Sequence, residues 1–239
     1  MRSIALSARQ RNQEPSLDTP TREPVLTTPW QPVALSLILL AAFAAQLGFG
    51  DGDPSVAARA FGLAPAALWS SRGSGIFTYV LLHAGWTHLM ISVLMTIVLG
   101  TPMARRMPGF MGFLGLTTFF LVCGAVGGLV FAATQPRSPD ILIGASASVS
   151  GLLAAAVRTA QARRGVGPLF SPLLLGIGAV WLGVNLLAAV TQFAGPSAFT
   201  QYGWQAHVAG FIAGALLTGA WVRLFGQSAF ASGTGMRDP

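Results

Sequence analysis

Six long apolar stretches, joined by short polar connections, constrain this chain more than any other feature. They cover residues 33–50, 76–100, 110–133, 141–159, 169–193 and 202–225. A helix needs about 20 apolar residues to cross the hydrocarbon core of a bilayer. The sequence therefore predicts an all-α membrane protein built as a six-transmembrane-helix bundle. The first stretch is slightly short, and the second is long enough to tilt. The fifth carries Pro172 near its start, where a missing backbone donor is tolerated.

Composition agrees. Of 239 residues, 53% are hydrophobic and only 9% are charged. Soluble domains carry about 25% charged residues, so this chain cannot cover a water-facing globule. One membrane domain, residues 32–225, accounts for nearly all of it. Residues 1–31 are polar, with four arginines, three acids and four prolines. They lack the apolar core of a signal peptide and read as a disordered cytoplasmic tail. Residues 226–239 read as a flexible cytoplasmic C-terminal tail.

All fourteen basic residues are arginine, and the net charge is +7. The arginines are scattered between apolar stretches rather than gathered on one domain. That pattern points to the lipid bilayer as partner, and no nucleic acid is expected. With the N-terminus inside, eleven arginines fall on the cytoplasmic side and three, Arg59, Arg72 and Arg137, fall outside. An excess of Lys and Arg on cytoplasmic loops sets orientation. Both termini are thus expected in the cytoplasm, with the 51–75 loop and its Trp69 outside. The single cysteine, Cys123, can form neither an intrachain disulfide nor a metal cluster. It reads as a packed core thiol.

Ser146, His207, His88 and His83 stand out inside these stretches, since ionisable or catalytic-type side chains are costly in a membrane. The orientation puts His83 and His88 in the outer half of the second stretch. Ser146 lies about one turn into the fourth, and His207 within the first two turns of the sixth. All four share a depth near the outer face, which argues for one site.

A serine hydroxyl becomes a nucleophile when a base within hydrogen-bond reach takes its proton. Histidine suits, with an ordinary pKa of about 6.5. Two membrane helices bring such short groups together only where small residues let the backbones approach. His207, Gly210 and Gly214 fall on one helical face, as do Ser146, Ser150 and Ala154. The serine stripe is expected to meet the glycine stripe. Ser150 reads as bonding the carbonyl one turn back. Ser148 points roughly opposite to Ser146 and reads as packing. His88 and Ser92 share a face; His88, with the backbone N–H of Ser146, is a candidate oxyanion donor. His83 would point about 140° away from His88 on a helix, and it reads as a brace at the outer helix end. Trp86 reads as an interfacial or packing aromatic.

Several motifs resemble the rhomboid family of intramembrane serine proteases. Gly144-Ala145-Ser146-Ala147 fits its G-x-S-x pattern at the start of the fourth stretch. Ala206, His207, Gly210 and Gly214 fit its A-H-x-x-G-x-x-x-G pattern. Residues 81–89, L-L-H-A-G-W-T-H-L, resemble its second-span signature, and 100–106 the turn that follows. The similarity covers residues 33–225. It implies a six-transmembrane-helix rhomboid-like bundle of the bacterial type, in the inner membrane. It further implies a Ser–His dyad without an acidic third member. Ser146 would be the nucleophile and His207 the general base. His88 would serve the oxyanion hole, with Ser92 and His83 supporting it. Substrates would be membrane proteins cut in or near a transmembrane helix at a small residue, and no metal or organic cofactor would be needed.

Two positions depart from the family. Ser92 stands where asparagine is common, and Ala147 where glycine is. A shorter hydroxyl would reach an oxyanion only through water. The alternative is therefore a catalytically weak or inactive rhomboid-like protein that binds transmembrane helices. A small transporter fits less well, because the paired repeats and midplane sites of transporters are not visible.

Overall fold

The computed structural model describes residues 28–68, 75–162, 165–191 and 203–226. The expected tails over residues 1–27 and 227–239, and Trp69, lie outside the described residues. In chain order the helices are α1 (Trp30–Phe49), α2 (Pro54–Phe61), α3 (Pro65–Leu68) and α4 (Gly75–Thr78). A 3-10 turn at Tyr79–Leu81 follows. Then come α5 (Trp86–Ala104), α6 (Gly109–Thr134), α7 (Ser146–Ala160), α8 (Pro172–Thr191) and α9 (Trp204–Gly226). Among the described residues β structure is limited to one isolated bridge, Leu63 with Leu142.

Five helices, α1, α5, α6, α8 and α9, are long and apolar enough to cross a membrane. The fourth predicted stretch behaves differently. Its helix, α7, has 15 residues, which at about 1.5 Å per residue falls short of a hydrocarbon core about 30 Å thick. Residues 141–145 do not join it. Leu142 exchanges backbone hydrogen bonds with Leu63 instead, at 3.0 and 2.9 Å. Gly144 then turns the chain with φ of +111°.

The second stretch also departs from expectation. It is not one long helix over 76–100. The chain forms α4 and the 3-10 turn, passes through Leu82–Gly85 without helix, and only then starts α5 at Trp86. The non-helical segment is held from outside itself. The Gln46 side chain donates to the His83 carbonyl at 2.8 Å and accepts from the His83 N–H at 2.9 Å. That side-chain amide takes the place of the intrahelical bonds the segment forgoes.

α7 is the hub. Almost every side chain from Ala147 to Thr159 is buried, and α7 packs against α5, α6 and α9. Its closest approach is to α9. A Cβ at Gly210 would overlap the Ala147 carbonyl, and one at Gly214 would overlap the Gly151 backbone. Small residues on both helices thus permit near-contact of the main chains. The row meeting the glycines is Ala147 and Gly151, one position along from the expected Ser146–Ser150–Ala154 row. Ser146 is left free to face the His207 side chain. Cys123 of α6 is buried against Gly151, as a packed thiol.

The two ends of α7 differ in chemistry. At its C-terminal end Arg106 donates to the Thr159 carbonyl at 2.9 Å and to that of Ala162. Arg158 donates to the Gly167 carbonyl at 2.9 Å. Arg106 thus satisfies a carbonyl of the last turn of α7, which a helix end leaves without an intrahelical partner, and Arg158 ties α7 to the connection that follows it. The other end carries Ser146. Outside the spanning helices, Asp53 caps α2 by accepting from the Ser55 N–H at 2.8 Å. That bond and the Ser55 hydroxyl hold its carboxyl below the usual range.

Candidate active site

Ser146 is the first residue of α7, and the segment before it fixes where it sits. The Leu63–Leu142 bridge ties the segment to the loop after α2, and the Gly144 N–H donates to the Tyr79 carbonyl at 2.8 Å. Tyr79 is itself anchored, donating its hydroxyl to the Gly124 carbonyl of α6 at 2.7 Å. Gly144 is required twice over. Its φ lies in the left-handed region, and a Cβ there would lie 2.6 Å from Cε1 of His88. The turn into α7 is therefore packed directly against the His88 imidazole.

His207 lies in the first turn of α9 and is buried. Its Nε2 is 2.7 Å from the Ser146 hydroxyl oxygen, across 61 residues of sequence. Its Nδ1 is 2.6 Å from Oδ1 of Asn185 on α8. The Asn185 Nδ2 donates to the Trp181 carbonyl at 2.7 Å, and the Trp181 ring is tilted against His207 with centroids 6.4 Å apart.

The other sequence candidates fall into place around this pair. Ser150 donates its hydroxyl to the Ser146 carbonyl at 2.8 Å, the local bond read from the sequence. Ser148 is buried on the other side, its hydroxyl against Gly124 of α6. His88 sits in the first turn of α5, half-buried, and its Nδ1 faces the Ala84 N–H at 3.5 Å. Ser92 is buried and donates to the His88 carbonyl at 3.0 Å. His83 does not point away from His88 as a continuous helix would require. Because residues 82–85 are not helical, the two rings meet edge to face at 5.1 Å. His83 is fully buried, with Nδ1 3.3 Å from the Leu81 carbonyl and Phe43 at its edge. Trp86 is exposed and packs edge-on against Phe43 at 5.0 Å.

The family model for the Rhomboid domain matches residues 66–224, more than half of the chain. The chain belongs to the rhomboid family. With its five apolar helices, this rhomboid is an integral membrane protein. The matched range contains Ser146, His207, His88, Ser92, His83 and Asn185, whereas α1 and α2 precede it. No curated protein matches this rhomboid chain.

Asn185, Trp181 and Gln46 escaped the sequence reading. The signal for Asn185 was present, a polar amide inside the apolar 169–193 stretch, subject to the same rule that singled out the histidines. Gln46 carries the same signal within 33–50. Among the described residues no three His, Cys, Asp or Glu side chains gather as a metal site.

Proposed function

We propose that this rhomboid is an intramembrane serine endopeptidase that cleaves transmembrane protein substrates with a Ser146–His207 pair. The observation that carries the reading is the 2.7 Å contact between Ser146 Oγ and His207 Nε2, made between the first turns of two helices. Neither helix needs that contact for packing, which runs through Ala147, Gly151, Gly210 and Gly214.

In this reading His207 Nε2 takes the hydroxyl proton as Ser146 Oγ attacks the scissile carbonyl carbon. His207 then gives that proton to the leaving amine. Water, deprotonated by the same nitrogen, hydrolyses the acyl-enzyme. The oxyanion forms at the N-terminus of α7, where backbone N–H groups lack intrahelical partners and the helix dipole is positive. His88 is the second donor. Its Nδ1 accepts from the Ala84 N–H, which assigns the ring proton to Nε2. His83 and Ser92 support His88, His83 through the ring contact and Ser92 through the carbonyl bond in its own helix.

The proposed topology has six crossings, with α7 as a short central one buffered from lipid by α5, α6 and α9. Both termini lie in the cytoplasm of a bacterial inner membrane, with the arginine end of α7 inside and Ser146 near the outer face. Substrates are membrane proteins with a transmembrane helix, cut at a small residue, and the reaction uses no metal or organic cofactor.

Purified protein in detergent, incubated with a panel of single-span substrates, should produce fragments that disappear with Ser146→Ala. The competing reading is a weak or inactive rhomboid-like protein that binds helices without cutting. What favours it is Ser92, whose hydroxyl is already donated to the His88 carbonyl. Labelling of Ser146 by a serine-reactive fluorophosphonate supports the protease; a folded protein that binds substrate helices but takes no label supports the binder.

A further inference from the structure

Asn185 is fully buried on α8, a helix whose other large side chains, such as Leu175, Val180, Val184 and Leu187, are mostly exposed. A buried amide needs hydrogen bonds to offset its desolvation. Asn185 has them on both ends, and the two bonds together determine the proton arrangement of the site.

The first bond orients the amide. The Trp181 carbonyl oxygen, 2.7 Å away, can only accept. The end of the Asn185 side chain facing it must therefore be the NH2, since the flipped amide would set two oxygens against each other. The second bond follows. With Nδ2 committed to Trp181, the carbonyl oxygen faces His207 Nδ1 at 2.6 Å. An amide oxygen cannot donate, so Nδ1 of a neutral imidazole carries the proton there. Nε2 then presents its lone pair to the Ser146 hydroxyl at 2.7 Å. The opposite tautomer would put an N–H against Ser146 and could not take its proton.

We infer that Asn185 is a positioning residue that holds His207 in the Nδ1–H tautomer with Nε2 aimed at Ser146, in a hydrogen-bonded Ser146–His207–Asn185 row. This role rests on the protease reading for its consequence, although not for its geometry. The amide accepts from the Nδ1–H before and after Nε2 gains the serine proton, so it stabilises the imidazolium without adding a charge of its own inside the membrane, where charge is costly. Trp181 contributes twice. Its carbonyl fixes the amide, and its ring neighbours the imidazole at a tilt.

The test reads the tautomer and the reaction separately. Histidine-15N-labelled protein is studied by NMR, with His207 assigned by the signals lost in His207→Gln. The wild-type His207 ring should be protonated at Nδ1; a ring protonated at Nε2 overturns the assignment without any change at Asn185. Asn185→Leu, similar in size but without an acceptor, should populate the Nε2–H form. It should also lower kcat and fluorophosphonate labelling of Ser146 by roughly 10- to 10⁴-fold with KM little changed, as a wrong-tautomer histidine does in a soluble serine protease. Asn185→Asp keeps an acceptor oxygen and should retain labelling within about tenfold of wild type. A folded Asn185→Leu protein that labels at the wild-type rate, or an Asp variant no better than the Leu variant, overturns the role. If Asn185→Leu fails to fold, the wild-type spectrum and the Asp variant still decide. A wild-type protein that shows the Nδ1–H tautomer but neither labels nor cleaves refutes the protease reading and leaves the positioning geometry standing.

Discussion

The His88 imidazole occupies the space that a side chain at Gly144 would need: a Cβ there would lie 2.6 Å from Cε1 and 2.8 Å from Nε2. The turn entering α7 and the first turn of α5 are thereby locked to each other. Gly144→Ala meets two obstacles, a positive φ that L-residues disfavour and an imidazole that must shift to admit the Cβ. The variant should lose at least tenfold in kcat through displacement of His88 while remaining folded, since strain of this kind costs about 1–3 kcal/mol. Turnover and thermal unfolding of the same preparation check this; wild-type turnover would show that His88 need not hold this place.

The α7–α9 crossing depends on missing side chains. Gly214→Val should push the helices apart, because its Cβ would overlap the Gly151 backbone. Stability should fall by about 1–3 kcal/mol or more, as overpacking does. Gly176→Ala on α8, where nothing lies within contact of a Cβ, should leave the melting temperature nearly unchanged. Parallel melts of the two variants make the comparison.

Ser150 tests the division between serines. Its hydroxyl is donated to the Ser146 carbonyl at 2.8 Å, so it has a local partner. Ser150→Ala should cost no more than about 1 kcal/mol of stability and should keep most of the cleavage activity. Loss of activity in a folded Ser150→Ala protein, with cleavage retained by Ser146→Ala, would move the nucleophile assignment away from Ser146.

Gln46 clasps the non-helical segment that carries His83. Gln46→Leu leaves the His83 N–H and carbonyl without their side-chain partner. Destabilisation of about 1–3 kcal/mol is expected, with partial loss of activity as His83 and then His88 shift. A melt compared with Gln46→Glu, which keeps the acceptor but loses the donor, separates the two halves of the clasp.

These particulars show where the sequence was legible. Ser146 and His207 were legible because catalytic-type polar groups have few reasons to lie in apolar stretches, and the glycines of α9 because their spacing puts them on the His207 face. Ser150 was readable because its bond is local. The broken second stretch was not, since residues 76–85 are apolar enough to pass for helix and the side chain that holds the break, Gln46, lies 37 residues before His83. The shortening of α7 had the same origin, a long-range bridge from Leu63 to Leu142. Asn185 carried a signal of its own, but its partner lies 22 residues away on another helix, and spacing alone did not link the two.

Orientation is a separate prediction. In a Cys123→Ser background, Asp51→Cys should react with a membrane-impermeant thiol reagent added outside intact cells, and Arg105→Cys only after lysis. The reverse pattern would turn the protein over and move Ser146 to the cytoplasmic side.

The central claim is that Ser146 and His207 act as one unit. The most direct measurement is the cleavage rate of a single-span substrate by wild type, Ser146→Ala, His207→Ala and the double variant, all verified as folded. Each single variant should abolish cleavage, and the double should be no worse than either, because groups acting together are not additive. Substantial cleavage by either single variant would contradict the account.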